Sequence, residues 1–142
     1  MTGSESSPNP ERTARLVHGM LLLGTVVVGC VVIAVGSRAF PTVSDPLPRT
    51  LLRAVVIGLA LFGTVALQIV RRTLPAAPAH ERQAWWAANA PRLVALWAVP
   101  EGVGIAGAVL AVVARDMLVA VLVLGWAVVM LFLHAPGRIA EV

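Results

Sequence analysis

The chain has 142 residues, 58% hydrophobic and 13% charged, with a mean hydropathy of +0.88. Soluble domains carry about 25% charged residues, so half the usual solvating charge is missing and a water-soluble globule is excluded. The net charge of +4 rests on 11 basic residues, all of them arginine; these flank apolar runs and form no patch with interleaved aromatics, so no nucleic-acid partner is expected.

Residues 1–15 are polar and contain serine and proline, a composition that cannot bury a core and reads as a disordered cytoplasmic tail. The apolar run over 16–37 follows Arg12 and Arg15 in the manner of a secretory signal, and Val27-Val28-Gly29-Cys30 resembles a lipoprotein cleavage box. The run continues to Gly36, however, well beyond the 7 to 15 apolar residues of a signal, and is therefore read as a first membrane span. A single cysteine, Cys30, cannot form an internal disulfide.

Three prolines within residues 39–48 predict an extended external loop. A second span follows over about 51–70, reaching the length a bilayer requires if Arg53 snorkels to the headgroups. In the link from 71 to 92, Pro75 and Pro78 interrupt the chain, and residues 80–89 predict a helix that extends the third span, with Trp85 and Trp86 at headgroup level. A docking surface for a partner is the other use of that tryptophan pair. The third span, 92–114, is interrupted only by Glu101, and the fourth, 117–135, follows after Arg115 and Asp116 alone, which requires a tight antiparallel hairpin between spans three and four.

These runs are apolar on every face with no period-two alternation, and backbone polar groups in lipid must be satisfied within a helix or a closed barrel. The predicted fold is therefore all-α: a polytopic membrane protein, its four-helix transmembrane domain over 16–138, with a short cytoplasmic tail at 139–142. Arg12, Arg15, Arg71, Arg72, Arg82, Arg92 and Arg138 fall on one side of the spans, and Arg38, Arg49, Arg53 and Arg115 on the other. The excess predicts both termini in the cytoplasm of a bacterial inner membrane.

Glu101 lies eight residues after Leu93, about 12 Å into the membrane at 1.5 Å per residue. A carboxylate at that depth normally faces the bundle interior, where it is protonated, is paired or lines a pathway. Pro100 lacks an N–H and frees the carbonyl of Leu96 one turn below as a local acceptor. Gly104 and Ala108 share a helical face that would admit another helix close to the carboxyl. Counted inward from the cytoplasmic ends, Thr25, Thr64 and Trp126 lie within a turn of the same depth and are the expected hydrogen-bond partners. Two roles follow for Glu101: an interhelical hydrogen-bonding group that fixes packing, or a proton or sodium site.

The segment Leu93-Val94-Ala95-Leu96-Trp97-Ala98-Val99-Pro100-Glu101-Gly102-Val103-Gly104-Ile105-Ala106-Gly107 resembles the carboxylate helix of the proteolipid (c) subunits of rotary ATP synthases, in which the glutamate is followed by isoleucine at +4 and glycine at +6. The resemblance covers one span and implies a ring of hairpins in which Glu101 would take up a proton or sodium ion. Over its whole length the chain resembles small four-span bacterial inner-membrane proteins of uncharacterised role, which implies an architecture without an activity.

His18, His80 and His134 are isolated and lack the paired spacing of a metal site, so no metal is expected. No nucleophile with a base, phosphate-cradling loop or carboxylate pair is present, and neither catalysis nor a cofactor is expected. The expected role is a structural or accessory membrane subunit, self-associating or joined to other subunits through glycine and alanine faces, with the lipid bilayer as its surroundings. Proton- or sodium-coupled transport through Glu101 is the alternative.

Overall fold

The computed structural model of the chain describes residues 9–36, 38, 49–78 and 80–139, with Arg49 described by its backbone alone. In chain order these form α1 (Pro10–Gly36), α2 (Arg49–Thr73), α3 (Arg82–Val113), α4 (Met117–Leu133) and a single final turn, α5 (Pro136–Ile139). The first three are long and apolar enough to cross a membrane, and α4 is a shorter apolar helix of 17 residues. At 1.5 Å per residue α4 measures about 26 Å, somewhat under the roughly 30 Å of a hydrocarbon core.

The helix ends depart from the sequence expectation for identifiable reasons. α1 begins at Pro10, so residues 10–15 are helical rather than part of a disordered tail. Asn9 caps the helix through Oδ1, which accepts from the Glu11 N–H at 3.1 Å, and Arg15 pairs with Glu11 one turn on. Proline at the first helical position loses no hydrogen bond, and an acidic residue in the first turn complements the helix dipole. α3, by contrast, runs unbroken from Arg82 as expected, the linker helix extending the third span into one 32-residue helix containing Pro91 and Pro100. Ile139 belongs to α5 rather than to a tail. The expectations for residues 1–8, 39–48 and 140–142 fall outside the described residues.

α3 packs against α1, α2 and α4, while α1 and α2 lie on the α3–α4 pair rather than on each other. The α3–α4 turn is tight, as the two intervening residues predict. Arg115 adopts a left-handed backbone (φ 58°), the Asp116 N–H reaches back to the Ala111 carbonyl at 2.8 Å, and the Arg115 N–H reaches Val112 at 2.9 Å. This bonding satisfies the last carbonyls of α3 in a Schellman arrangement. Asp116 then caps α4 by accepting from the Val119 N–H and also pairs with Arg53 of α2. Arg53 thus ties the start of α2 to the α3–α4 turn rather than only snorkelling away from the protein.

At the opposite end, Arg92 donates to the Thr73 carbonyl at the end of α2, and His18 of α1 donates to the Leu131 carbonyl at the end of α4. Successive helices therefore run antiparallel, and the first and last described helices meet at one end. The core has two parts. One is built from Val56, Ala108, Ala111, Val112, Ala120, Val123 and Leu124 towards the Arg53–Asp116 end. The other contains Leu67, Trp85, Trp86, Leu93, Leu96, Trp97 and Leu131 towards the His18 end. Trp85 and Trp86, expected at headgroup level, are 6% and 1% exposed and belong to this second core. Small side chains in the first core let backbones approach closely, while the tryptophans fill the wider second end by sheer area.

Candidate functional site

Glu101 lies on α3 between these two cores, at the seam with α1. Its carboxyl faces Gly24: a Cβ built on that glycine would sit 3.2 Å from Glu101 Oε1. Glycine at position 24 therefore makes room for the acid, and any larger residue would press on it. Glu101 is half-buried, and no hydrogen bond or ion pair joins it to another described residue.

The expected partners are arranged otherwise. The Thr25 hydroxyl, on a residue 1% exposed, donates to the Leu21 carbonyl of its own helix at 2.9 Å. Thr64 likewise donates to Ala60 at 2.8 Å, and its oxygen accepts from the Trp126 indole N–H at 3.3 Å. Thr64 and Trp126 thus meet one another between α2 and α4, where Gly63 makes room for the indole. Neither threonine hydroxyl nor the indole bonds to Glu101. Helical threonines readily satisfy themselves on the carbonyl four residues back, so equal depth does not make them ligands of a neighbouring helix.

Pro100 is buried beside Glu101. Gly104 also serves a purpose other than the one expected: its missing Cβ makes room for the Ala127 side chain of α4, not for a helix facing the carboxyl. Ala108 is fully buried in the first core. The residue that admits a helix to Glu101 is Gly24 of α1, which no local pattern in the sequence singles out. Gly24, Gly29 and Gly36 all face the α3–α4 pair, against Glu101, Leu124 and Val112 respectively, whereas Gly19 meets nothing within 4 Å.

A second polar cluster joins three helices near the end of α4. His18 Nε2 donates to Leu131 O at 3.0 Å, Trp97 Nε1 donates to His134 O at 2.8 Å, and His134 Nδ1 donates to Met130 O at 2.8 Å. The His18 and Trp97 rings meet edge to face with centroids 5.3 Å apart. The last carbonyls of a helix have no partners within it, and here two other helices and the terminal histidine provide them. His18 and His134 are therefore buried caps rather than interfacial residues. With Nδ1 of His134 engaged as donor, its Nε2 is buried without a partner among the described residues, as is the Trp86 indole nitrogen.

His80 is exposed and lies 3.7 Å from Glu81. Cys30 is exposed on α1. No group of three or more histidine, cysteine, aspartate or glutamate side chains converges among the described residues in a way that could hold a metal. No family model, curated protein or solved structure matches the chain.

Proposed function

We propose that this chain is a four-span integral protein of a bacterial inner membrane, with both termini cytoplasmic, acting as a structural or accessory subunit without catalysis. In this reading Glu101 is a packing group that holds α3 against α1. The observation that carries it is the seating of the carboxyl against Gly24, on a seam that supplies it with no charged partner among the described residues. A carboxyl seated in a close helix contact supports association through van der Waals packing and needs no second charge. The glycines qualify how such a subunit would meet partners. Gly29, Gly36, Gly63, Gly104 and Gly107 are occupied in packing the chain on itself, while Gly19, Gly58, Gly102 and Gly125 on the long helices meet nothing within 4 Å and are open to another copy or subunit.

A second reading, a proton- or sodium-coupled component, is favoured by one specific observation: the same carboxyl is half-buried and bonded to no described residue, which leaves its oxygens available to an ion. The local likeness of this helix to the carboxylate helix of ATP synthase proteolipids supports it.

Glu101→Gln separates the two, because the amide keeps hydrogen bonding but cannot exchange a proton. In reconstituted vesicles the packing role requires wild-type assembly and no change in proton or sodium flux. Normal assembly with lost flux would replace it by the coupling role. Carbodiimide labelling of Glu101 that is slow, pH-dependent and blocked by sodium would argue in the same direction. Reporter fusions at each terminus test the topology, and a periplasmic signal from either would overturn it.

A further inference from the structure

The end of α2, the connection that follows it, the start of α3 and the α5 turn enclose a recess of about 250 Å³, lined by Arg71, Leu74, Pro75, Ala76, Trp85 and Ile139. Four hydrogen bonds fix its walls. The Trp85 indole donates to the Pro75 carbonyl at 3.0 Å, and Arg92 bridges the Thr73 carbonyl at 3.4 Å and the Asn89 side chain at 3.3 Å. Asn89 is itself held by donating to Trp85 O at 3.0 Å. The recess is therefore built into the fold, with its one indole and its neighbouring arginine already engaged.

Arg71 is different. It lines the recess, is exposed, and bonds to no described residue, whereas Arg92 beside the recess is held. None of the six lining residues is acidic. A cation above apolar walls, without a counter-charge among the described lining residues, selects an anion that also carries hydrocarbon. The level is right for one: Leu67 is buried in the core one turn before Arg71, so Arg71 stands where the apolar length of α2 ends and where phosphates lie if α2 crosses a bilayer. The volume is below the roughly 300–1,000 Å³ of pockets that enclose whole drug-sized ligands, which suits a headgroup whose tails remain in the bilayer.

We infer that this recess binds a phosphate ester, the headgroup of an anionic phospholipid, with Arg71 on the phosphate and Trp85, Leu74 and Ile139 against the glycerol and first acyl carbons. The shared chemistry with a free phosphate is the oxyanion, and the apolar wall is what distinguishes the lipid. The inference rests on the membrane reading above, which fails on fractionation, whereas this one fails on its dependence on Arg71.

The test is native mass spectrometry of the full chain in detergent, titrated with phosphatidylglycerol, with phosphatidylcholine of the same tails, or with inorganic phosphate. One phosphatidylglycerol should be retained at least about fivefold more tightly than phosphatidylcholine, the effect of one arginine at a membrane surface. Arg71→Gln should abolish that preference, while Arg82→Gln, an exposed arginine outside the recess, should keep it. Arg71-dependent retention of inorganic phosphate, with no preference between the two lipids, would keep the oxyanion site and assign it to a free phosphate. Equal loss in both variants, or no retention of either anion, would overturn the site and leave only diffuse positive charge.

Discussion

Replacing Gly104 by alanine should separate α3 from α4 where Gly104 meets Ala127. The Cβ added there falls well inside contact distance of the Ala127 Cβ, with the Val123 carbonyl oxygen at 3.8 Å and the Ala127 Cα at 3.9 Å behind it. Ala127 has no flexible end that can swing aside, so the backbones themselves must move apart, by about 1 Å to restore ordinary contact. A radial gap of about 0.5–1 Å already forfeits a quarter to a half of each dispersion well, and the loss extends to the fully buried neighbours Ala108 and Ala120. Overpacking of this kind costs about 1–3 kcal/mol. Alanine also gains about 1 kcal/mol over glycine in a helix interior, so the comparison is with Gly125→Ala, where a Cβ meets nothing within 4 Å. The two variants share the propensity gain, and their difference isolates the packing term. In detergent, unfolding followed by tryptophan fluorescence should place Gly104→Ala about 1–3 kcal/mol below Gly125→Ala. Adding Ala127→Gly to Gly104→Ala should recover part of the loss, as expected for residues in direct contact. Equal stability of the two single variants would refute the close α3–α4 contact.

Removing the Asp116 side chain with alanine should cost about 0.5–2 kcal/mol through loss of the α4 cap; asparagine keeps a capping oxygen and should lose only the pair with the half-exposed Arg53, under about 1 kcal/mol. The same unfolding assay reads both. His18→Ala leaves the buried Leu131 carbonyl without its donor, and Trp97→Phe does the same for His134; each should cost about 1–3 kcal/mol, with hydrogen exchange accelerating at the end of α4 before the rest of the bundle. Cys30, exposed on α1, should resist a charged maleimide in intact membranes and react once the protein is unfolded in sodium dodecyl sulfate; rapid labelling in intact membranes would contradict a lipid-facing α1.

Individual residues show where sequence reasoning reached its limit. The α3–α4 turn was legible because only Arg115 and Asp116 interrupt two apolar runs, leaving no room for any connection but a tight one. The early start of α1 was also legible in principle, in Asn9, Pro10 and Glu11, but the low apolarity of the segment concealed it. Glu101 stands out in any hydropathy reading, since it alone interrupts its span. Its neighbour Gly24 does not, because glycines recur along α1 and nothing local says which of them meets a partner. Thr25, Thr64 and Trp126 share its depth, yet depth is one coordinate and contact needs three; rotation about each helix axis sends Thr64 and Trp126 to one seam and Glu101 to another.

The sequence by itself determined the helical class and the position of the one acid within the apolar segments, because segment length and charge spacing are properties of the chain alone. Tertiary structure decided which faces turn inward: that the tryptophans fill a core, that His18 and Trp97 close the end of α4, and that Gly24 receives Glu101. The physical reason is the uniform apolarity of the helices. An amphipathic helix announces its buried face, but a helix apolar all round can pack through any face, and the choice falls to the fit of small side chains and the few hydrogen bonds available between neighbours.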